Sequence, residues 1–173
     1  TQSSLLEAMQ DSKVTIEKTT YPLPVPFMVI ATQNPIEYHG TYPLPESQLD
    51  RFLMKVKMGY PSRDSEIRIV KTKDFLNAES DVAPACSKDD ILKMQRALDG
   101  IKVDDSLVEY ILSIVERTRD NKNLELGVSP RGTLALYRAA QAKAFLEDRD
   151  YCTPDDIKSL VIPVLAHRLI VSS

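Results

Sequence analysis

An unbroken apolar run, Phe27–Ala31, limits what this chain can fold into more than any other feature. A short apolar run of this kind, bounded by proline-rich segments, is typical of a strand that is buried on both faces of a parallel sheet. Such a strand needs a neighbouring strand on each side. The chain contains few other strand-like segments, so we expect the rest of this sheet to lie in an N-terminal part that precedes Thr1.

The segments around this run are short and are punctuated by proline. They predict a helix at Ser3–Gln10, strands at Val14–Glu17 and Leu53–Met58, an extended edge at Tyr21–Pro26 and a helix from about Glu46 to Phe52. The break at Gly59–Ser62 is typical of a domain boundary. We therefore expect residues 1–61 to form the end of an α/β core and residues 62–173 to form an all-α domain.

The second domain has clear helix start signals. Ser87 can cap a helix that ends at Gly100, with Asp90 in the capping-box position. Ser129 and Thr153 each stand directly before a proline, the residue favoured at the first helical position. The remaining predictions are a helix at Arg63–Leu76, a loop at Asn77–Ala85, a helix that begins at Asp104 or Asp105, and a loop at Asn121–Val128.

Asn34 is the first candidate site residue, because it follows the predicted buried strand and is itself followed by Pro35. Ligands of open α/β sheets bind beyond the carboxyl ends of the strands. An asparagine at that place can orient a water molecule toward a phosphate, and phosphoryl transfer depends chiefly on such positioning. The alternative is that Asn34-Pro35 only initiates a turn.

Two arginines are the other candidates. Arg51 ends a short polar helix, where it can stabilise a transferred phosphoryl group in a neighbouring subunit; alternatively, it forms a surface ion pair with Asp50 or Glu46. Arg131 lies in the first turn of a helix, where a cation opposes the helix dipole and a bound phosphate would compensate. The alternatives for Arg131 are an ion pair with Glu125 or extension into water.

The chain lacks the loop that usually binds the nucleotide phosphates. Its five glycines lie at positions 40, 59, 100, 127 and 132, and none is followed by lysine, so the phosphate-loop motif G-x-x-x-x-G-K-[ST] is absent. No Asp-Glu pair ends an apolar strand either, so a segment that would hold Mg²⁺ is also missing. We therefore expect this chain by itself to be catalytically inert.

Composition excludes several classes of function. A net charge of −3 and a pI of about 5.4 argue against nucleic acid or an anionic membrane as the partner. No apolar run approaches the length of a membrane span. Cys86 and Cys152 have neither metal-site spacing nor a disulfide framework around them, and they are most simply reduced thiols of a cytoplasmic protein.

Several stretches of the chain together match the pattern of one known family. Taken in order, they are Leu5–Met9, Val14–Ile16, Ala31–Glu37, Gly40–Glu46, Gln48–Phe52, Gly59–Pro61 and Val128–Arg131. With these stretches the chain resembles the MoxR-type AAA+ ATPases. Short matches in the right order over nearly the whole chain are far more specific than any one of them alone.

The resemblance implies a fold and a role for each candidate residue. The fold would be the C-terminal remnant of a parallel-sheet AAA+ core followed by a helical lid domain, with the Walker A and Walker B segments in the missing N-terminal part. Asn34 would be the sensor 1 residue, Arg51 the arginine finger and Arg131 the sensor 2 residue of the lid. Asn34 and Arg131 would also contact the bound nucleotide.

The resemblance also implies cofactors and partners. The intact protein would use ATP and Mg²⁺, form a hexameric ring, and remodel protein clients in a chaperone-like manner, with von Willebrand factor A-domain proteins among the partners. The hairpin Lys13–Leu23 would be an insert that faces the ring axis or a substrate. Two alternatives remain open: a DNA-acting AAA+ motor of the minichromosome maintenance or helicase-loader type, and a helical interaction module that binds no nucleotide.

Overall fold

A computed structural model of the chain describes residues 2–32, 45–71 and 83–172. The first part begins with helix α1 (Gln2–Asp11), followed by strands β1 (Lys13–Ile16) and β2 (Thr19–Pro22). The two strands form an antiparallel hairpin in which Val14 lies opposite Tyr21. The helix and the hairpin at this place are therefore as the sequence predicts.

The hairpin turns over two residues that have positive φ angles, Glu17 (48°) and Lys18 (71°). Two positive φ angles in a two-residue turn match the right-handed twist of the flanking strands. The hairpin is fastened to α1 by Glu7, whose carboxylate accepts hydrogen bonds from the Thr15 hydroxyl (2.5 Å) and backbone amide (3.2 Å).

Two strand predictions are wrong for the described residues. Residues 27–31 and 53–58 have no regular secondary structure, and Met28 and Ile30 are 76% and 79% exposed. An apolar run forms a buried strand only when a partner strand supplies backbone hydrogen bonds and a covering face. Both sheets in the described ranges are two-stranded and antiparallel, and neither includes these segments.

Helix α2 (Glu46–Leu49) is followed by a turn at Asp50 and Arg51. Helix α3 (Arg63–Lys71) has no buried residue. The predicted helix at Arg63–Leu76 is observed as far as Lys71; its remainder and most of the predicted loop Asn77–Ala85 lie outside the described residues.

The helical region confirms most of the start signals. Its elements are α4 (Lys88–Ala97), a 3₁₀ turn (Leu98–Gly100), α5 (Asp105–Arg119), β3 (Leu124–Leu126), α6 (Pro130–Leu146), α7 (Pro154–Leu165), a 3₁₀ turn (Ala166–Arg168) and β4 (Ile170–Val171). Ser87 and Asp90 form the predicted capping box, and Asp104 caps α5. Ser129 accepts a hydrogen bond from the Gly132 amide, and Thr153 forms a capping box with Asp156.

The core of the molecule lies between α5, α6 and α7. The helix α5 contributes Ile111 and Val115, which are 1% and 0% exposed, from the single apolar face that the sequence predicts. Leu136 of α6 and Ile157 of α7 are each 0% exposed. The first turn of α6 is therefore attached to the best-packed part of the chain.

The predicted loop Asn121–Val128 contains a strand that the sequence analysis missed. Strand β3 pairs with β4 near the end of the chain, with Leu124 opposite Val171, and the Ser172 amide donates to the Asn123 carbonyl (2.9 Å). Strands of two or three residues are too short to show a recognisable alternation. Within the described ranges, no helix combines the length and apolar character that crossing a bilayer requires.

Candidate functional site

Arg51 lies in the turn after α2 and is half-buried. Its Nη1 donates a hydrogen bond to Gln10 Oε1 of α1 at 2.9 Å. The carboxylate of the preceding residue, Asp50, is bound by Arg168 and Ser129. The structure thus gives Arg51 a neutral partner in place of the ion pair with Asp50 that the sequence left open.

Arg131 is the second residue of α6 and is exposed. Among the residues that the structure describes, none forms a hydrogen bond or ion pair with its guanidinium, and the alternative pair with Glu125 is not formed. This cation, which has no partner among the described residues, lies at the positive end of a 17-residue helix, where a bound anion would be stabilised by both.

Asn34 lies outside the described residues, so its role as sensor stays a prediction. His39 also lies outside the described residues. The structure brings Arg51 and Arg131 to the same part of the molecule through the contacts of their neighbours, Asp50 and Ser129. The Ser129 hydroxyl donates to the Asp50 carboxylate, with both oxygens 3.0 Å away.

Arg168 is the residue that the sequence analysis missed. Its side chain is 2% exposed, yet it carries a full positive charge at the boundary between the two parts of the chain. Nε donates to Asp50 Oδ1 (3.0 Å), and Nη2 donates to the carbonyl oxygens of Phe52 (2.6 Å) and Asp50 (3.1 Å). Nη1 donates to the carbonyls of Leu53 and Val164. The bond to Val164 caps the C-terminal end of α7.

The charge of Arg168 is subject to opposing electrostatic effects. Burial lowers its pKa, the Asp50 carboxylate opposes this shift, and the positive charge of Arg131 lowers the pKa further. A buried arginine is tolerated only where its donors are satisfied and a counter-charge is present. Asp50 supplies the charge, and the backbone carbonyls of Asp50, Phe52, Leu53 and Val164 supply further acceptors.

Gly132 makes room for this arrangement. A Cβ atom built on Gly132 would lie 2.6 Å from Val128 Cγ1 and 2.9 Å from Arg168 Cδ. Both distances are shorter than van der Waals contact, so the Arg168 side chain passes α6 only because this residue has no side chain. A glycine near the start of an otherwise Ala- and Leu-rich helix was the signal that could have revealed the close approach.

His167 completes this group of side chains. Its Nε2 lies 3.2 Å from the Phe52 carbonyl and 2.8 Å from Arg168 Nη1, while the buried Nδ1 has no partner among the described residues. Burial lowers the pKa of His167, the hydrogen bond with the Phe52 carbonyl opposes this shift, and the charges of Arg168 and Lys55 lower the pKa further. We call Asp50, Ser129, His167 and Arg168 the Asp50–Arg168 cluster.

The donor set fits a phosphate better than it fits a metal ion. Arg131, unpaired among the described residues, offers a cation at a helix N-terminus, which is suited to phosphate oxygens. A metal ion needs several anionic or imidazole ligands together, and the described residues contain no group of three or more His, Cys, Asp or Glu side chains that could hold one. The described residues therefore suit a phosphate group and do not fit Mg²⁺.

Sequence profiles of two families match the chain. Residues 1–54 match the ATPase family associated with various cellular activities (AAA), and residues 116–173 match the AAA lid domain. Arg51 falls within the first match, and Arg131 and Arg168 fall within the second. The Asp50–Arg168 cluster thus joins the two matched regions.

Known proteins resemble nearly the whole chain. The uncharacterized protein YeaC of Bacillus subtilis (strain 168) is 48% identical over 99% of the chain, and the chaperone MoxR1 of Mycobacterium tuberculosis is 39% identical over 99% of it. A crystal structure of a protein from Cytophaga hutchinsonii designated an ATPase superposes with a TM-score of 0.88 at 40% identity, covering 99% of this chain and 55% of that one.

The fold and both matched regions define an AAA+ ATPase. More narrowly, the chain belongs to the MoxR-type AAA+ ATPases and corresponds to their C-terminal region with the lid domain. The predicted fold class is thereby confirmed. The chain spans about half the length of the curated relatives it matches, 53% of YeaC and 47% of MoxR1.

Proposed function

We propose that this chain is the sensor and lid part of a MoxR-type AAA+ protein that hydrolyses ATP with Mg²⁺. The observation that carries the proposal is the guanidinium of Arg131, unpaired among the described residues, at the N-terminus of α6 in a region that matches the AAA lid domain. The proposal divides the chain into residues 1–61, the end of the AAA+ core, and residues 62–173, the lid.

Each candidate residue has a distinct part in the proposed reaction. Arg131, as sensor 2, would bind the phosphates of the nucleotide in its own subunit. Arg51, as arginine finger, would reach the nucleotide of the neighbouring subunit, where a cation stabilises the charge on the transferred phosphoryl group. Asn34, as sensor 1, would orient the attacking water. Mg²⁺, when bound elsewhere in the intact protein, supplies further neutralisation of phosphate charge.

The assignment of Arg51 requires an assembly of more than one subunit. We propose a hexameric ring that acts in the cytoplasm on protein clients, including von Willebrand factor A-domain proteins. MoxR1, a relative that matches 99% of this chain, is named a chaperone, which supports protein clients. Nothing in the charge of the chain, −3 overall, favours the alternative of a DNA-acting motor.

Replacing Arg131 tests the sensor assignment. In the intact protein, Arg131→Ala should lower ATP turnover about a hundredfold, as loss of one preorganised charge-stabilising donor does. Its free energy of unfolding should change by less than about 0.5 kcal/mol, because the side chain is exposed and unpaired within the described residues. The matched control is Arg138→Ala, which removes an exposed arginine of the same helix that is paired with Asp99 (2.9 Å). Equal turnover in wild type and Arg131→Ala would show that Arg131 is not the sensor 2 residue.

Mixing subunits tests the finger assignment. Arg51→Ala rings should be inactive, yet they should recover turnover when mixed with subunits that keep Arg51 but have a broken phosphate site. Failure of the mixture to recover would show that Arg51 does not act in a neighbouring subunit. The 173-residue chain alone should hydrolyse no ATP, because it contains no Gly-Lys pair.

A further inference from the structure

The Asp50–Arg168 cluster joins the residues around Arg51 to the residues around Arg131. On one side, Asp50 precedes Arg51 in the chain, and Arg168 binds the backbone carbonyls of Asp50, Phe52 and Leu53. On the other side, Ser129 caps the helix that carries Arg131, and Arg168 passes directly beneath Gly132 of that helix. Arg51 thus directly follows Asp50 of the cluster. Arg131 lies two residues after Ser129 and directly before Gly132, the glycine that Arg168 contacts.

The bonds of the cluster fix both position and orientation. The Asp50 carboxylate accepts from Arg168 Nε and from the Ser129 hydroxyl at the same time. The planar guanidinium of Arg168 directs its donors into a fixed fork, and several of its acceptors are backbone carbonyls. A further backbone bond, from the Lys55 amide to the Pro163 carbonyl (2.8 Å), lies alongside. Because the acceptors belong to the backbone, the segment 50–55 cannot turn relative to α6 and α7 without breaking several of these bonds.

We propose that Arg168 is a positioning residue that, through Asp50 and Ser129, holds Arg51 at a fixed place relative to Arg131. The proposal rests on the roles given to Arg51 and Arg131 above. Arg131 responds to the nucleotide of its own subunit, and Arg51 serves the nucleotide next door. A rigid connection between them makes Arg51 move together with Arg131 and the lid. Nucleotide binding in one subunit therefore moves the Arg51 side chain that acts on the nucleotide of the neighbouring subunit.

Spin-label distances test the positioning. Labels on cysteines placed at Ser47 of α2 and Leu134 of α6, both exposed, would be measured in a Cys86→Ser background that removes the exposed native thiol. The wild-type sequence should give one narrow distance distribution. Arg168→Lys keeps the charge but loses the fork, and it should broaden the distribution. Asp50→Asn should broaden it less, because an amide oxygen can still accept, and this variant carries the test if Arg168→Lys does not fold.

The matched control is a second arginine–carboxylate pair in the described helical region, in which the carboxylate is buried. Arg149 donates to both oxygens of Asp156, at 2.9 and 2.7 Å, at the opposite end of α6. Arg149→Lys should leave the distribution as narrow as in wild type. An unchanged distribution in Arg168→Lys, or equal broadening in both variants, would overturn the proposal.

Turnover by the intact protein tests the coupling between subunits. Arg168→Lys should lower turnover at saturating ATP about fivefold or more, which is the lower end of usual coupling between sites, and should bring the Hill coefficient toward one. The affinity for nucleotide in single subunits should stay as in wild type. Wild-type cooperativity in Arg168→Lys would overturn the coupling. If the wild-type intact protein itself hydrolyses no ATP, both the proposed function and the coupling between subunits are refuted. The spin-label distances still decide whether Arg168 holds Arg51 at a fixed place relative to Arg131.

Discussion

Gly132→Ala offers the sharpest test of how the two parts of the chain are packed together. Glycine within a helix costs about 1 kcal/mol relative to alanine, so this change would ordinarily stabilise α6. Here the added methyl group would lie 2.6 Å from Val128 Cγ1 and 2.9 Å from Arg168 Cδ. We expect the substitution to destabilise the protein in spite of the better helix propensity.

The structure also sets the magnitude of this effect. Val128 is 1% exposed, and close packing around a buried side chain leaves little space into which it can turn. Arg168 is held by its bonds to Asp50 and to backbone carbonyls, so moving its Cδ weakens those bonds. An extra methyl group in a well-packed core costs about 1–3 kcal/mol. With the helix gain subtracted, the net loss for Gly132→Ala is up to about 2 kcal/mol.

Gly100→Ala is the matched control. Nothing lies within 4 Å of a Cβ built on Gly100, so this change should stabilise the protein by about 0.4–1 kcal/mol through the unfolded chain. Urea unfolding of both variants and of wild type, followed by circular dichroism, gives the free energies by linear extrapolation. A Gly132→Ala protein as stable as Gly100→Ala would refute the reasoning. Adding Val128→Ala to Gly132→Ala should show a favourable coupling, because it removes the shorter of the two contacts.

Two further predictions concern the core and pH. Leu136→Ala should lower the free energy of unfolding by about 2–5 kcal/mol, because the side chain is 0% exposed. Leu134→Ala, at a 67% exposed position of the same helix, should change this free energy by less than about 0.5 kcal/mol in the same urea assay. His167 has a pKa lowered chiefly by burial, so the unfolded state binds a proton more tightly than the folded state. Stability should therefore fall as pH decreases through the unfolded value of about 6.5. His167→Gln should flatten this slope between pH of about 7.5 and 5.5, and an unchanged slope would contradict the assignment to His167.

The helix starts could be predicted from sequence because their signals are local. Ser87, Ser129 and Thr153 each bond to an amide or carboxylate within three residues, so the partner is visible in the adjacent sequence. The single apolar face of α5 could also be predicted, because its buried residues recur at helical spacing.

The strand predicted at Phe27–Ala31 is not formed, and the role of Arg168 was not predicted. A strand depends on partner strands, and the described residues supply none for this run, so its apolar side chains lie exposed. Apart from the Val164 carbonyl, the acceptors of Arg168 lie more than a hundred positions away along the chain, at residues 50–53. No spacing rule connects such distant positions. From sequence alone, an arginine beside a helix end favours a capping role over a buried ion pair.

The candidate site could be predicted from the sequence only in part. Their positions at helix ends singled out Arg51 and Arg131, the family resemblance gave each a role, and each lies in one of the two matched regions. The resemblance did not reveal that Arg51 would be held by Gln10, since a contact between α1 and the turn after α2 depends on how the chain is folded.

The pairing of β3 with β4 has a mechanical consequence. The last described residues form backbone bonds with the segment that leads into Ser129 and α6, through Leu124–Val171 and Asn123–Ser172. A pulling force applied at the C-terminal end of the chain is therefore borne first by this small strand pair, beside the capped start of α6, before it reaches the packed helices. Such a force would therefore act on the start of α6, the helix that carries Arg131, before it acts on the hydrophobic core.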